Sequence, residues 1–287
     1  MNRFVASRAR LIVVAGTVFL LASVCGLNGC FNLDEMLFDK TALSSYSLGT
    51  TVIPESSRTQ VVLTSQGKKI YGYFVKSNGS LPGITILYNH GTKDHLQYYW
   101  DRVELLYRTG ANVFVYDYQG YGMSEGTPSE EGFYSDALAA LTYVQSRSDV
   151  DHSRIVYYGF SLGCAAAVQA AAYYAQPRAI ILESPFASTS ALAQSAVLTD
   201  ITSAFVMRGT YDNAEKIGRV HAPLLLMHGE DDTFIDIQKN GQVIFDHANE
   251  PKTFIRVKGA GHSGIPTALG AQPYIDLVRN FITSQGK

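Results

Sequence analysis

Short runs of β-branched and aromatic residues recur at 84–88, 112–116, 155–158, 179–182, 223–227 and 252–257. Runs of this length and composition read as strands buried on both faces of a mostly parallel sheet. Between them the apolar spacing becomes helical: 98–108 stops at Gly110, 130–147 follows Pro128-Ser129, and a small-residue helix begins near Ala165. Further helices are expected at 236–247 and 273–282. Upstream, 60–64 and 70–75 are joined at Gln66-Gly67-Lys68, the pattern of an antiparallel hairpin. Strands alternating with helices predict an α/β fold with a mostly parallel central sheet flanked by helices. The alternation lapses between 184 and 221, where Phe186, Leu192, Val197, Leu198, Ile201, Phe205, Val206 and Met207 form an apolar segment of helical character. Such a segment serves as a short lid over an acyl pocket or as one more helix packed on the core.

The first thirty residues follow a different rule. Arg3, Arg8 and Arg10 precede an apolar run over 11–24, too short for the roughly 20 residues of a membrane span. Residues 1–29 therefore read as a signal peptide, 30–58 as a tether and N-terminal extension, and 59–287 as the α/β domain. Leu27-Asn28-Gly29-Cys30 resembles the lipobox of bacterial lipoproteins, in which the cysteine is acylated and becomes the first mature residue. Asn28 departs from the small or apolar residue usual there. The alternative is a signal anchor that stays uncleaved. Either way the domain is expected in the bacterial cell envelope, tethered to a membrane and facing the periplasm or the outside.

Composition narrows the partners. The chain is 46% hydrophobic with a net charge of −2, which allows a large core and argues against nucleic acid as the main partner. With Cys25 in the signal and Cys30 lipidated, only Cys164 remains, so no disulfide framework exists in the mature chain. Cys164 reads as a small core residue.

Candidate chemistry lies in loops at strand ends, where open α/β sheets place their ligands. Gly159-Phe160-Ser161-Leu162-Gly163 joins a strand to an alanine-rich helix. A serine on so sharp a turn needs neighbours without a Cβ two residues either side, and the helix behind it directs free N–H groups at the site. Asn89-His90-Gly91-Thr92 follows 84–88, and Gly91 lets the Thr92 N–H turn inward. His90 fits a catalytic base less well than a residue holding this loop, and Asp117 a catalytic acid less well than a loop anchor. His228-Gly229-Glu230-Asp231-Asp232 follows 223–227, and Gly259-Ala260-Gly261-His262-Ser263-Gly264 follows 252–257. A histidine between glycines suits catalysis better than a core. The glycines of Gly120-Tyr121-Gly122-Met123-Ser124-Glu125-Gly126 are one residue too widely spaced for a dinucleotide fingerprint, and no helix follows at once.

Taken together, NHGT, DYQGYGMSEG, GFSLG, HGEDD and GAGH closely resemble the α/β-hydrolase superfamily over about 61–282. Within it the chain is similar to short-lid serine hydrolases of the serine aminopeptidase-like and dipeptidyl-peptidase-like group. The resemblance implies an α/β-hydrolase fold with a short helical lid near 184–221. It implies a triad in the order Ser161, Asp232, His262, the H-G-x-x-D spacing favouring Asp232 over the adjacent Asp231. It also implies backbone N–H groups of Thr92 and Leu162 as oxyanion donors, and His228 as a loop-holding residue. No metal or other cofactor is required by such a site, and a serine rather than an aspartate on the elbow disfavours dehalogenase and epoxide hydrolase chemistry.

The expected function is hydrolysis of a carboxylic ester or thioester, with a small-molecule or lipid-like acyl substrate suggested by the apolar segment and the anchor. Peptide-bond cleavage comes second. Perhydrolysis needs the same triad, and a catalytically silent, membrane-tethered binding protein is the alternative from outside enzymology.

Overall fold

The computed structural model describes residues 38–77, 79, 81, 83–195 and 209–284. The expected signal segment 1–29, Cys30, and Val197, Leu198, Ile201, Phe205, Val206 and Met207 of the expected lid lie outside the described residues.

Strands β1 (Arg58–Ser65) and β2 (Lys68–Val75) form the hairpin. Its loop is Gln66-Gly67 alone, both residues at positive φ (+47° and +74°). Two consecutive left-handed residues give the twist that a two-residue connection needs. The rest alternates: β3 (Thr85–Asn89), α1 (Trp100–Tyr107), β4 (Asn112–Tyr116), α2 (Glu130–Ser146), β5 (Ile155–Phe160), α3 (Gly163–Tyr173), β6 (Ala179–Glu183), α4 (Thr189–Ser195) and α5 (Asn213–Lys216). It closes with β7 (Leu224–Gly229), α6 (Gly241–His247), β8 (Lys252–Val257), α7 (Ile265–Leu269) and α8 (Ala271–Ser284).

The sheet order is β1-β2-β4-β3-β5-β6-β7-β8. Strands β3 to β8 run parallel, while β2 is antiparallel to both β1 and β4. This is the mostly parallel, eight-stranded α/β-hydrolase arrangement. Every residue of β3 to β7 is buried, as strands covered on both faces must be. One face packs α2, α3 and Ile244 of α6 against Leu87, Phe114, Tyr157 and Leu182. The other packs α1 and α8 against Ile86, Val113, Tyr158 and Ile181. The edge strands β1 and β8 are only partly buried.

Two helices differ from expectation. The helix expected at 236–247 begins only at Gly241. Asp236 caps a first turn by accepting the Lys239 N–H (2.8 Å), and that turn is broken at Asn240, whose φ/ψ of −127°/−76° is not helical and whose side chain accepts the Ala187 N–H (3.0 Å). The extra helix α7 opens with Pro266 in its first turn and ends at Gly270, whose φ of +87° separates it from α8.

Residues 38–53, within the segment expected as a tether, lie against the domain. Phe38 and Ile53 are buried, and short parallel bridges join Lys40 to Asp94 and Ala42 to Gly122.

Candidate active site

Ser161 follows β5 immediately and adopts φ +52°. A side chain in the left-handed region costs about 1–2 kcal/mol, so the surrounding structure must hold it there. The Ser161 N–H donates to the Glu183 carbonyl (2.9 Å), and the Cys164 N–H closes the turn back onto the Ser161 carbonyl (3.0 Å). A Cβ on Gly163 would run into the Asn89 and His90 main chain, and one on Gly159 into Cys164. Those two glycines let the elbow sit against both the loop after β3 and its own helix. Leu162 is the N-cap of α3, whose first N–H groups lie beyond the reach of any intrahelical acceptor.

The structure brings the three strand-end loops together. His262 Nε2 lies 2.9 Å from Ser161 Oγ, and His262 Nδ1 lies 2.8 Å from Asp232 Oδ2. A carboxylate only accepts, so Nδ1 carries the proton and Nε2 accepts from the serine hydroxyl. Asp232 is buried and Asp231 is exposed, and of the two adjacent acids it is Asp232 that lies against His262. Asp232 Oδ1 also accepts the N–H groups of Phe234 (2.9 Å) and Ile235 (2.8 Å). Burial alone would raise the Asp232 carboxyl, but hydrogen bonds from His228 and His262 outweigh it and hold it well below the ordinary carboxylate range. His228 is fully buried, its Nε2 shared between the Ile235 carbonyl (2.9 Å) and Asp232 Oδ2 (3.3 Å).

The depressed Asp232 has a consequence for stability against pH. A carboxyl whose folded value is lowered stabilises the fold fully above its unfolded value, about 4, and loses that contribution as pH falls. In urea unfolding between pH 6 and pH 2, wild type is expected to lose stability below pH 4 more steeply than Asp232→Asn. Parallel curves would show that this carboxylate is not what the folded state holds ionised.

His90 lies behind the loop after β3, with no exposed surface. Its Nε2 faces Asp117 Oδ1 (3.1 Å) and its Nδ1 faces the Gly91 carbonyl (2.7 Å). Asp117 also accepts the Leu96 N–H (2.6 Å). Tyr118 Oη donates to the His90 carbonyl (2.7 Å). Gly91 is packed against Tyr99 Oη and the ring of Phe160, the residue before Ser161, with no room for a Cβ. Cys164 is buried at the start of α3, its Sγ 3.4 Å from the Glu183 carbonyl, and burial pushes the thiol well up.

Three contributors escaped sequence reasoning. The Ser184 hydroxyl donates to the His262 carbonyl (2.9 Å), from a residue itself at φ +50°. Glu183 is fully buried, and its carboxylate accepts from Arg102, Tyr158 and Tyr274 (the last at 3.0 Å). Arg102 also reaches the Ser263 carbonyl (3.4 Å), and its guanidinium stacks over Phe160 at 4.5 Å from the ring centre. Burial would pull the guanidinium down, but Glu183 and the neighbouring phenols hold it above its ordinary range. A buried ion pair thus braces the Ser161 turn and the His262 loop at once. The available signal was a single acid ending an apolar strand and a single arginine on the apolar side of a helix.

A family model described as serine aminopeptidase, S33 matches residues 82–205. An uncharacterised protein of Mycobacterium tuberculosis is 32% identical over 276 residues, covering 96% of each chain. The human alpha/beta hydrolase domain-containing protein 17B is 32% identical over 223 residues, covering 77% of this chain and 74% of the relative. Among solved structures, an esterase of Pyrococcus furiosus superposes with a TM-score of 0.68 at 16% identity, over 86% of this chain and 98% of that one. An acetyl xylan esterase from Paenibacillus superposes with a TM-score of 0.65 at 21% identity, over 84% and 88%.

Proposed function

Because the chain belongs to the α/β-hydrolase superfamily, as its likeness to the human alpha/beta hydrolase domain-containing protein 17B shows, we propose that it is a serine hydrolase cleaving a carboxylic ester or thioester through an acyl-enzyme on Ser161. One observation carries this reading: the unbroken hydrogen-bond relay from the Ser161 hydroxyl through both nitrogens of His262 to the buried Asp232.

His262 Nε2 takes the hydroxyl proton as Ser161 Oγ attacks the acyl carbonyl, while Asp232 keeps the imidazole in the required tautomer and stabilises the imidazolium. The N–H groups of Thr92 and Leu162 bind the tetrahedral oxyanion, and each such donor is worth about 10²–10³ in rate. His262 passes its proton to the leaving alcohol or thiol. Water, deprotonated by the same nitrogen, then releases the acid and restores the serine. The chain's own residues supply every proton transfer in this sequence.

Ester chemistry is favoured by the esterases of Pyrococcus furiosus and Paenibacillus that share the fold. Peptide-bond cleavage is the second reading, favoured by the description of the matching family model. A location in the cell envelope, through Cys30 or an uncleaved signal anchor, belongs to the same proposal and rests on the basic and apolar residues of 3–24.

The test is intact mass after exposure to a fluorophosphonate, beside turnover of short aryl esters. A single adduct mapping to Ser161, with measurable ester hydrolysis, is the expected result. A folded chain that takes no adduct and hydrolyses no aryl ester would replace this reading with that of a binding protein.

A further inference from the structure

We propose that residues 38–48 form a strap that clamps the loop after β3 from outside, with Thr41 and Tyr46 as positioning residues for the Thr92 N–H. The inference rests on the serine hydrolase reading and adds to it part of the segment read from sequence as a tether and N-terminal extension.

The contacts are dense for an irregular segment. The Asp39 N–H reaches Thr92 Oγ1 (3.4 Å), and the Thr41 hydroxyl donates to the Asp94 carboxylate (2.7 Å). On the main chain, Asp94 N–H donates to the Asp39 carbonyl (2.5 Å) and Thr41 N–H to the Asp94 carbonyl (3.2 Å). Asp94 is held at φ +51°, and these bonds are what hold it. Gly122 N–H donates to the Thr41 carbonyl (2.9 Å), and Leu43 N–H returns to the Gly122 carbonyl (2.7 Å). The strap therefore ties 92–94 to the glycine turn after β4.

Tyr46 reaches further in. Its hydroxyl donates to Asp117 Oδ2 (2.5 Å) and accepts the Met123 N–H (3.2 Å). Asp117 has no exposed surface, and its other oxygen takes the Leu96 N–H and faces His90. Without the phenol, a buried carboxylate loses one of its donors, and the remaining ones must shift to share the charge. Those remaining donors are the residues that set the 90–96 loop. Burial and the Asp117 charge push the Tyr46 phenol far above its ordinary range, so it stays a donor at any working pH.

The alternative is that 38–48 merely covers apolar surface, as Phe38 does against Tyr121. Covering alone would make loss of the hydrogen bonds a stability effect spread over the domain. Positioning makes it local to the loop and specific to the charged transition state. An error of about 1 Å in a catalytic group can cost on the order of 10²-fold, so a partly loosened loop should cost about 10- to 100-fold.

The test uses the full chain with Tyr46→Phe, Thr41→Val and the pair together. In hydrogen exchange, the amides of 91–96 are expected to exchange faster in the variants, while those of β3 and β5 stay protected. On an aryl ester, kcat should fall about 10- to 100-fold with KM little changed. The inhibition constant of a trifluoromethyl ketone, which mimics the tetrahedral oxyanion, should rise in proportion. Unchanged exchange at 91–96 in the double variant overturns the strap whether or not the ester is a substrate. Full kcat with faster exchange overturns the positioning role. A wild-type chain that takes no fluorophosphonate would be a failure of the serine hydrolase reading instead, and the exchange result would still decide whether the strap holds the loop.

Discussion

Ser161→Ala is expected to lower kcat/KM for an aryl ester by about 10⁵–10⁶-fold, and His262→Ala by nearly as much. The reason lies in the relay. The serine hydroxyl is a weak nucleophile until Nε2 removes its proton, and Nε2 is 2.9 Å away with its partner Nδ1 fixed on Asp232. Removing either member stops the same step, so the double variant should be little worse than either single one. Additive losses would show that the two residues act in separate steps. Neither variant should unfold. Ser161 contributes one hydroxyl at a strained turn, and the His262 side chain is 20% exposed. Thermal unfolding of both variants therefore separates a chemical defect from a folding one.

Arg102→Met is expected to produce the largest loss of stability, about 3–5 kcal/mol, the range seen when one partner of a buried ion pair is removed. Glu183 is fully buried, and without the guanidinium its carboxylate keeps only the phenols of Tyr158 and Tyr274. For a domain of this size such a loss corresponds to a fall of about 6–20 °C in Tm. Glu183→Leu leaves the positive partner stranded instead, while the double variant Arg102→Met with Glu183→Leu removes both charges. The double variant should be more stable than the sum of the single losses, because an apolar pair of similar volume costs less than one uncompensated charge. Its activity is the more informative readout. Arg102 also donates to the Ser263 carbonyl beside His262, so restored stability with reduced kcat would separate bracing of the base loop from folding. Single variants within about 0.5 kcal/mol of wild type would refute the energetic role of the pair.

What the sequence could and could not disclose follows from the range of each interaction. Strands β3 to β7 were legible because a strand covered on both faces admits almost no polar residue, and that constraint is written locally. The order of the reactive loops was legible for a similar reason, since each lies just beyond an apolar run. Asp231 and Asp232 are neighbours of equal chemistry, and only the fold turns one inward and the other to solvent. Helix α6 starts late because Asn240 leaves the helical conformation with its side chain bonded to Ala187, 53 residues away, a contact that apolar spacing does not register. The bracing contacts were the least legible. Arg102 meets Glu183 across 81 residues and Tyr46 meets Asp117 across 71, and nothing near either end of those pairs announces the partner. The mixed composition of 30–58 reads as a tether and N-terminal extension packed on the domain edge, but it does not disclose that the hydrogen bonds of 38–48 go to loops far downstream.

Those same separations set an order of arrival. The chain is made from its N-terminus, and His262 follows Ser161 by 101 residues. At about 5–20 residues per second, the serine emerges some 5–20 s before its base. Tyr274, which shares the Glu183 carboxylate with Arg102, comes later still, 172 residues after the arginine. A chain still being made, or one truncated before residue 262, therefore has Ser161 but not the His262 that the structure places beside it. Under the proposed mechanism, hydrolysis would begin only once synthesis is nearly finished, and Ser161 would stay inert for as long as the polypeptide is incomplete.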